Sequence, residues 1–146
     1  MIDAWALVRF THVIFAVLWV GGQVTLTVLM IPLMQRTLPA DLAASMRSSF
    51  GKNFGIYTLA LFLPAQVATG IMLAMHAGVT WASLLEPGYG RTLAAKLGVF
   101  ALVLVISGIH GFLQGKGRKQ AARSLALASL IGSVVIVLLA TALASA

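Results

Sequence analysis

The 146-residue chain has no cysteine and only three carboxylates, Asp3, Asp41 and Glu86. The first absence excludes disulfides, thiolate metal sites and cysteine nucleophiles. The second, with neither a Ser-His-Asp arrangement nor a phosphate-cradling glycine loop in evidence, argues against hydrolase and transferase chemistry. Charge of either sign is scarce: nine per cent of residues are charged and sixty per cent hydrophobic, with a mean hydropathy of +1.02. A soluble protein of this length has too little interior to hide so much apolar surface, whereas a bilayer solvates it. The net charge of +7 does not point to nucleic acid, because most of the basic residues sit in two short segments between apolar runs. That placement is a signature of membrane topology, and no nucleic-acid partner is expected.

Four apolar segments fill most of the chain, at about residues 5–33, 54–76, 92–113 and 124–144. Each meets the requirement of roughly 20 residues for a spanning helix. Only helices satisfy their own backbone in lipid at this chain length. The sequence therefore predicts an all-α integral membrane protein: one domain over 1–146, a bundle of four transmembrane helices in a lipid bilayer. Arg36, Arg47 and Lys52 fall between the first two segments, and Lys116, Arg118, Lys119 and Arg123 between the last two. The positive-inside rule puts both connections in the cytoplasm, with both termini and the 77–91 loop on the outer side. The start, Met1-Ile2-Asp3-Ala4, lacks a basic leader region, so the first helix is expected to stay in the mature protein.

The first segment carries costly polar groups in register. Trp5, Arg9, His12, Ala16, Trp19, Gln23 and Thr27 follow the alternating four-and-three spacing of one helix face. Such a face must look into protein, water or a ligand. The second segment repeats the pattern with Thr58, Phe62, Gln66, Thr69, Leu73 and His76, and its Pro64 predicts a kink. The third has Lys96, Val103, Ser107, His110 and Gln114. The fourth holds only small or hydroxylic residues among its polar positions. Its Ser124, Ala128 and Gly132 form a small-residue series suited to close packing, within the bundle or in a homodimer through helix four. After Pro39, Leu42, Met46 and Phe50 recur every four residues, which suits a short interfacial helix, an extension of the second membrane helix, or a solvated connector.

The predicted topology brings Arg9, His12, His76 and Lys96 towards the outer leaflet and leaves His110 near the cytoplasmic end of helix three. His12, inside an apolar run, is the leading candidate: a neutral imidazole ligates haem iron, copper or zinc, or else serves as a hydrogen-bonded packing group. Lys96 and Arg9 are placed either to hold an anionic ligand group such as a haem propionate or to reach the interface as snorkelling cations. Met72, Met75 and His76 supply soft donors suited to Cu(I), although methionine at helical spacing also packs cores.

Two stretches carry a family resemblance. Tyr89-Gly90-Arg91-Thr92-Leu93 through Lys96-Leu97, together with Trp19-Val20-Gly21-Gly22 after His12, resembles the copper resistance protein D (CopD) family and its short stand-alone relatives. The first helix is also similar, more distantly, to the HemJ-type four-helix protoporphyrinogen oxidase. Arg9, His12, Trp19 and Gly22 match that family's basic residue, histidine and Trp-x-x-Gly, and Lys96 and His110 match its later lysine and histidine. Its Tyr-Leu-Pro-Arg signature is replaced here by Leu29-Met30-Ile31-Pro32.

The CopD resemblance implies a bacterial inner-membrane protein that handles copper, by transport or membrane binding, with His12, Met72, Met75 and His76 as ligands. The alternative is a b-type haem protein for electron transfer or porphyrinogen oxidation, with His12, His76 and His110 as candidate cofactor ligands and Arg9 and Lys96 on the propionates. A third expectation is a non-catalytic membrane scaffold.

Overall fold

The structure, a computed structural model, describes residues 3–144. Among them all regular structure is helical, and no strand is formed. The chain divides into two compact units, Met1–Gly78 and Val79–Ala146, and each contains one antiparallel pair of long helices.

In the first unit, α1 spans Ala4–Thr37 and α2 spans Ala40–His76. Asp3 caps α1, its carboxylate accepting from the Ala6 N–H at 2.7 Å. The helices join at Leu38 and Pro39, both with extended ψ angles, and Pro39 O accepts from Ala43 N at 2.9 Å. The polar segment after Pro39 is thus an N-terminal extension of the second helix. With 34 and 37 residues, both helices are about 50 Å long or more, well beyond a hydrocarbon core of about 30 Å. The apolar runs understate them because periodicity cannot see helical turns built from Gly, Ser, Lys and Arg outside the bilayer.

Each of these helices contains one π-helical stretch, Thr25–Met30 in α1 and Thr58–Phe62 in α2. In both cases a proline follows two residues later, Pro32 and Pro64. Proline donates no backbone hydrogen bond and its ring presses on the carbonyl four residues back. Widening the preceding turn shifts the hydrogen-bond register and lets the helix run on. The expected disturbance at Pro64 is therefore a local change of helical register.

The α1–α2 interface holds few fully buried residues, among them Trp19, Val20 and Thr69. Phe62 sits between Phe15 and Phe54, with ring centroids 6.1 Å apart in both pairs. Gly22 admits Phe54: a Cβ on Gly22 would lie 2.6 Å from the phenyl Cε2. Leu7, Phe10, Val17, Leu59 and Ile71 are exposed, as expected of helices solvated by lipid.

In the second unit, a helical turn at Ser83–Leu85 leads into α3, Tyr89–Gly115, and α4 covers Lys119–Ala144. Gly88 has φ +94 and Gly117 φ +72, so the turns before and after α3 both use the left-handed region open to glycine. The α3–α4 pair is closely packed. Val103 is 1 % exposed and Ser133 0 %. Gly132 lies against Val103, whose Cγ2 occupies the space a Cβ on Gly132 would need. Ser107 and Ser129 share a hydrogen bond of 2.8 Å, and Ser133 Oγ donates to Ser129 O at 2.9 Å. Part of the small-residue series of α4 is thus used within this helix pair.

Candidate functional site

The chemistry-bearing residues of the first unit lie along the α1–α2 seam in a fixed register. Trp5 stacks on His76, ring centroids 3.9 Å apart and planes 15° from parallel. Seven residues along each helix, His12 meets Thr69, with Nδ1 and Oγ1 2.8 Å apart. The spacing is the same on both helices of the pair because seven residues make nearly two full turns and return to the same face.

Hydrogen counting fixes the His12–Thr69 contact. A threonine hydroxyl has one proton, and Thr69 directs it at its own helix, 2.5 Å from Ala65 O. Towards His12 it therefore acts as acceptor, and His12 Nδ1 carries the hydrogen. In the neutral ring this leaves Nε2 as the basic nitrogen. Gln66 fixes the backbone at the same place: its Nε2 donates to His12 O at 2.6 Å. Gly70 faces the ring, and a Cβ there would lie 3.4 Å from His12 Cε1. Thr69 is buried and His12 half-buried. Neighbouring positions on α2 thus set the position and tautomer of one imidazole.

The other residues singled out from the sequence fall in different surroundings. Arg9, one turn before His12, has an exposed side chain. His76 is exposed apart from its stack with Trp5. Met72 and Met75 are 42 % and 72 % exposed. His12 and His76 belong to levels of the seam two turns apart, about 10 Å along the helix axis. Two ligands of one ion with bonds of about 2.0–2.3 Å lie within about 4 Å of each other. His12, Met72, Met75 and His76 are therefore not gathered at one point, and among the described residues no group of three His, Asp or Glu side chains forms a metal cluster.

In the second unit, Lys96 is half-buried on α3. His110 Nδ1 lies 2.7 Å from Ala122 O. A carbonyl can only accept, so His110 also carries its proton on Nδ1, and it ties α3 to α4 near their connecting turn. The Tyr89-Gly90-Arg91 motif has a structural role here. Gly90 is buried with the Ser83 carbonyl against its Cα, and Arg91 N donates to Glu86 O at 3.0 Å.

Periodicity placed Thr69 and Gln66 on the polar face of α2 but gave no sign of which group each would meet. The Trp5–His76 stack, the approach of Gly70 to the His12 ring and the lack of a hydrogen-bond partner for the buried Thr58 Oγ1 among the described residues had no signal in spacing.

No family model and no solved structure matches the chain. It is similar to an uncharacterized protein of Aquifex aeolicus (strain VF5), with 29 % identity over 107 residues, which cover 73 % of this chain and 68 % of that protein.

Proposed function

We propose that the chain is a multi-pass protein of the bacterial inner membrane that binds a redox metal centre, a b-type haem, through His12 and serves electron transfer. One observation carries this reading: the Thr69 hydroxyl, committed as a donor to Ala65 O, holds the proton of His12 on Nδ1. A metal-binding histidine typically donates its second N–H to a protein acceptor, which fixes the ring and raises its basicity. Arg9, exposed and one turn away on the same polar face, suits a propionate. Bound haem would supply a reversible one-electron couple at iron, and the protein would supply ligation and polarity. Thr69 retains the Nδ1 proton, Gln66 holds the His12 carbonyl, and the lipid-facing apolar side chains limit water.

Copper handling of the CopD type is the second reading. The soft donors Met72 and Met75, with His76, at one end of α2 favour it. In both readings the basic connections 35–53 and 114–123 are cytoplasmic and the termini are on the outer side.

The test is an optical spectrum, oxidised and dithionite-reduced, of detergent-purified protein from haem-supplemented cells, with copper quantified on the same sample. The haem reading expects a Soret band and reduced α and β bands that disappear in His12→Ala. A colourless protein with stoichiometric copper would transfer support to the second reading. Absence of both would sink the metal-centre proposal and leave a scaffold.

A further inference from the structure

The α3–α4 turn is basic and has no acidic counterpart within its unit's nearby surface. Lys116, Arg118 and Arg123 all have exposed side chains, and the chain contains no Asp or Glu after Glu86. Glu86 precedes α3 and lies at the opposite end of a 27-residue helix, about 40 Å away along its axis. These cations therefore repel one another with no carboxylate side chain of their own unit at hand, and an external anion would lower that repulsion.

The adjoining surface narrows the kind of anion. Arg118, Gln120, Ala121 and Ser124 line an open depression of about 470 Å³. Just below the basic rim the surface becomes apolar. Phe112 is 64 % exposed beneath Lys116, whose Nζ stands 5.7 Å from its ring centroid, and Leu127 is 54 % exposed one turn beyond Arg123. Cationic side chains above exposed hydrocarbon complement an amphiphile with a charged head and apolar tails. Inorganic phosphate has no use for Phe112 and Leu127. α3 and α4 are both long and apolar enough to cross a membrane, so this end of the unit meets the headgroup region where such a molecule is found.

We propose that the α3–α4 turn is a binding site for an anionic phospholipid headgroup, with Lys116, Arg118 and Arg123 on the phosphate and Phe112 and Leu127 against the acyl chains. The proposal is independent of any metal centre at His12. A polybasic cluster at a membrane face attracts acidic lipid at about 1 kcal/mol per cation, which corresponds to about fivefold for each residue.

The experiment uses the full chain in detergent and native mass spectrometry, with dioleoylphosphatidylglycerol and dioleoylphosphatidylcholine added in equal amounts. The wild type is expected to retain the anionic lipid over the zwitterionic one by on the order of a hundredfold, about fivefold for each of the three cations. Lys116→Gln/Arg118→Gln/Arg123→Gln should bring the ratio near parity with unchanged circular dichroism. The matched control Arg36→Gln/Arg47→Gln/Lys52→Gln should keep the preference. Single Arg118→Gln and Arg123→Gln variants, each expected to lower the ratio several-fold, test the same site if the triple variant does not fold. Parity in the wild type, an equal loss in the control, or displacement of the lipid by inorganic phosphate at about 10 mM would overturn the proposal.

Discussion

His12 Nδ1 donates to Thr69 Oγ1 across 2.8 Å, and the hydroxyl in turn donates a hydrogen bond to Ala65 O. This chain of two hydrogen bonds, within one helix pair, decides which imidazole nitrogen is basic.

Thr69→Val removes the acceptor and keeps the shape. His12 can answer by moving its proton to Nε2, so the loss of stability should be small, near the average of about 0.6 kcal/mol for side-chain hydrogen bonds inside membranes. Under the haem reading, metal binding should suffer far more: loss of the group that orients a ligating histidine lowers metal affinity by about 10–100-fold. Titration of haem into the apo-protein, followed in the Soret band, should show that loss for Thr69→Val and near-normal affinity for Thr69→Ser. Equal affinity in wild type and Thr69→Val would remove Thr69 from the site.

Trp5 and His76 offer a test that separates the two metal readings. Their rings stack at 3.9 Å, and such pairs contribute about 0.5–1.5 kcal/mol beyond buried area. His76→Phe keeps a flat ring against Trp5 and deletes the donor nitrogens. Under the haem reading, spectrum and thermal midpoint should both survive. Under the copper reading, bound copper should fall while the midpoint holds.

How much of this was legible before the structure differs residue by residue. The four spanning helices were, because the need to solvate apolar runs depends on composition alone. So was the polar face containing Arg9 and His12, since a 3.6-residue period shows which side chains share a side. Which partner each side chain meets was not. The pairing of Trp5 with His76 and His12 with Thr69 depends on the register of α1 against α2, set by the turn at Leu38 and Pro39 and by two π-helical stretches. Ser133 was equally silent: its complete burial comes from contact with the facing helix, and a serine facing lipid would have read the same. Gly90 was visible as part of a motif, but the Ser83 carbonyl that makes it necessary was not.

Gly90→Ala should be among the more damaging single changes in the second unit. The added methyl would meet the Ser83 backbone carbonyl, which also accepts from Glu86 N and cannot swing aside as a side chain would. The 79–91 segment would have to rearrange, while α3 and α4 keep their mutual packing. Limited proteolysis should show faster cleavage within 79–91 with helicity by circular dichroism unchanged. Wild-type cleavage kinetics would show that the close approach is not needed.

Gly132 and Val103 make the firmest prediction about the α3–α4 packing, because the same contact can be broken from either side. A Cβ on Gly132 would occupy the position of Val103 Cγ2, and Val103 is 1 % exposed, so it has nowhere to retreat. Gly132→Ala should overpack the interface at a cost of about 1–3 kcal/mol. Val103→Ala alone should destabilise by opening a cavity. In the double variant the new methyl enters the space that the valine gave up. The combined loss should then be smaller than the sum of the single losses by at least about 0.5 kcal/mol, the lower bound for residues in contact. The double-mutant cycle would be measured by reversible unfolding of the purified protein in mixed detergent micelles. Strict additivity would mean that the helices adjust by sliding apart and that Gly132 is not the point of closest approach.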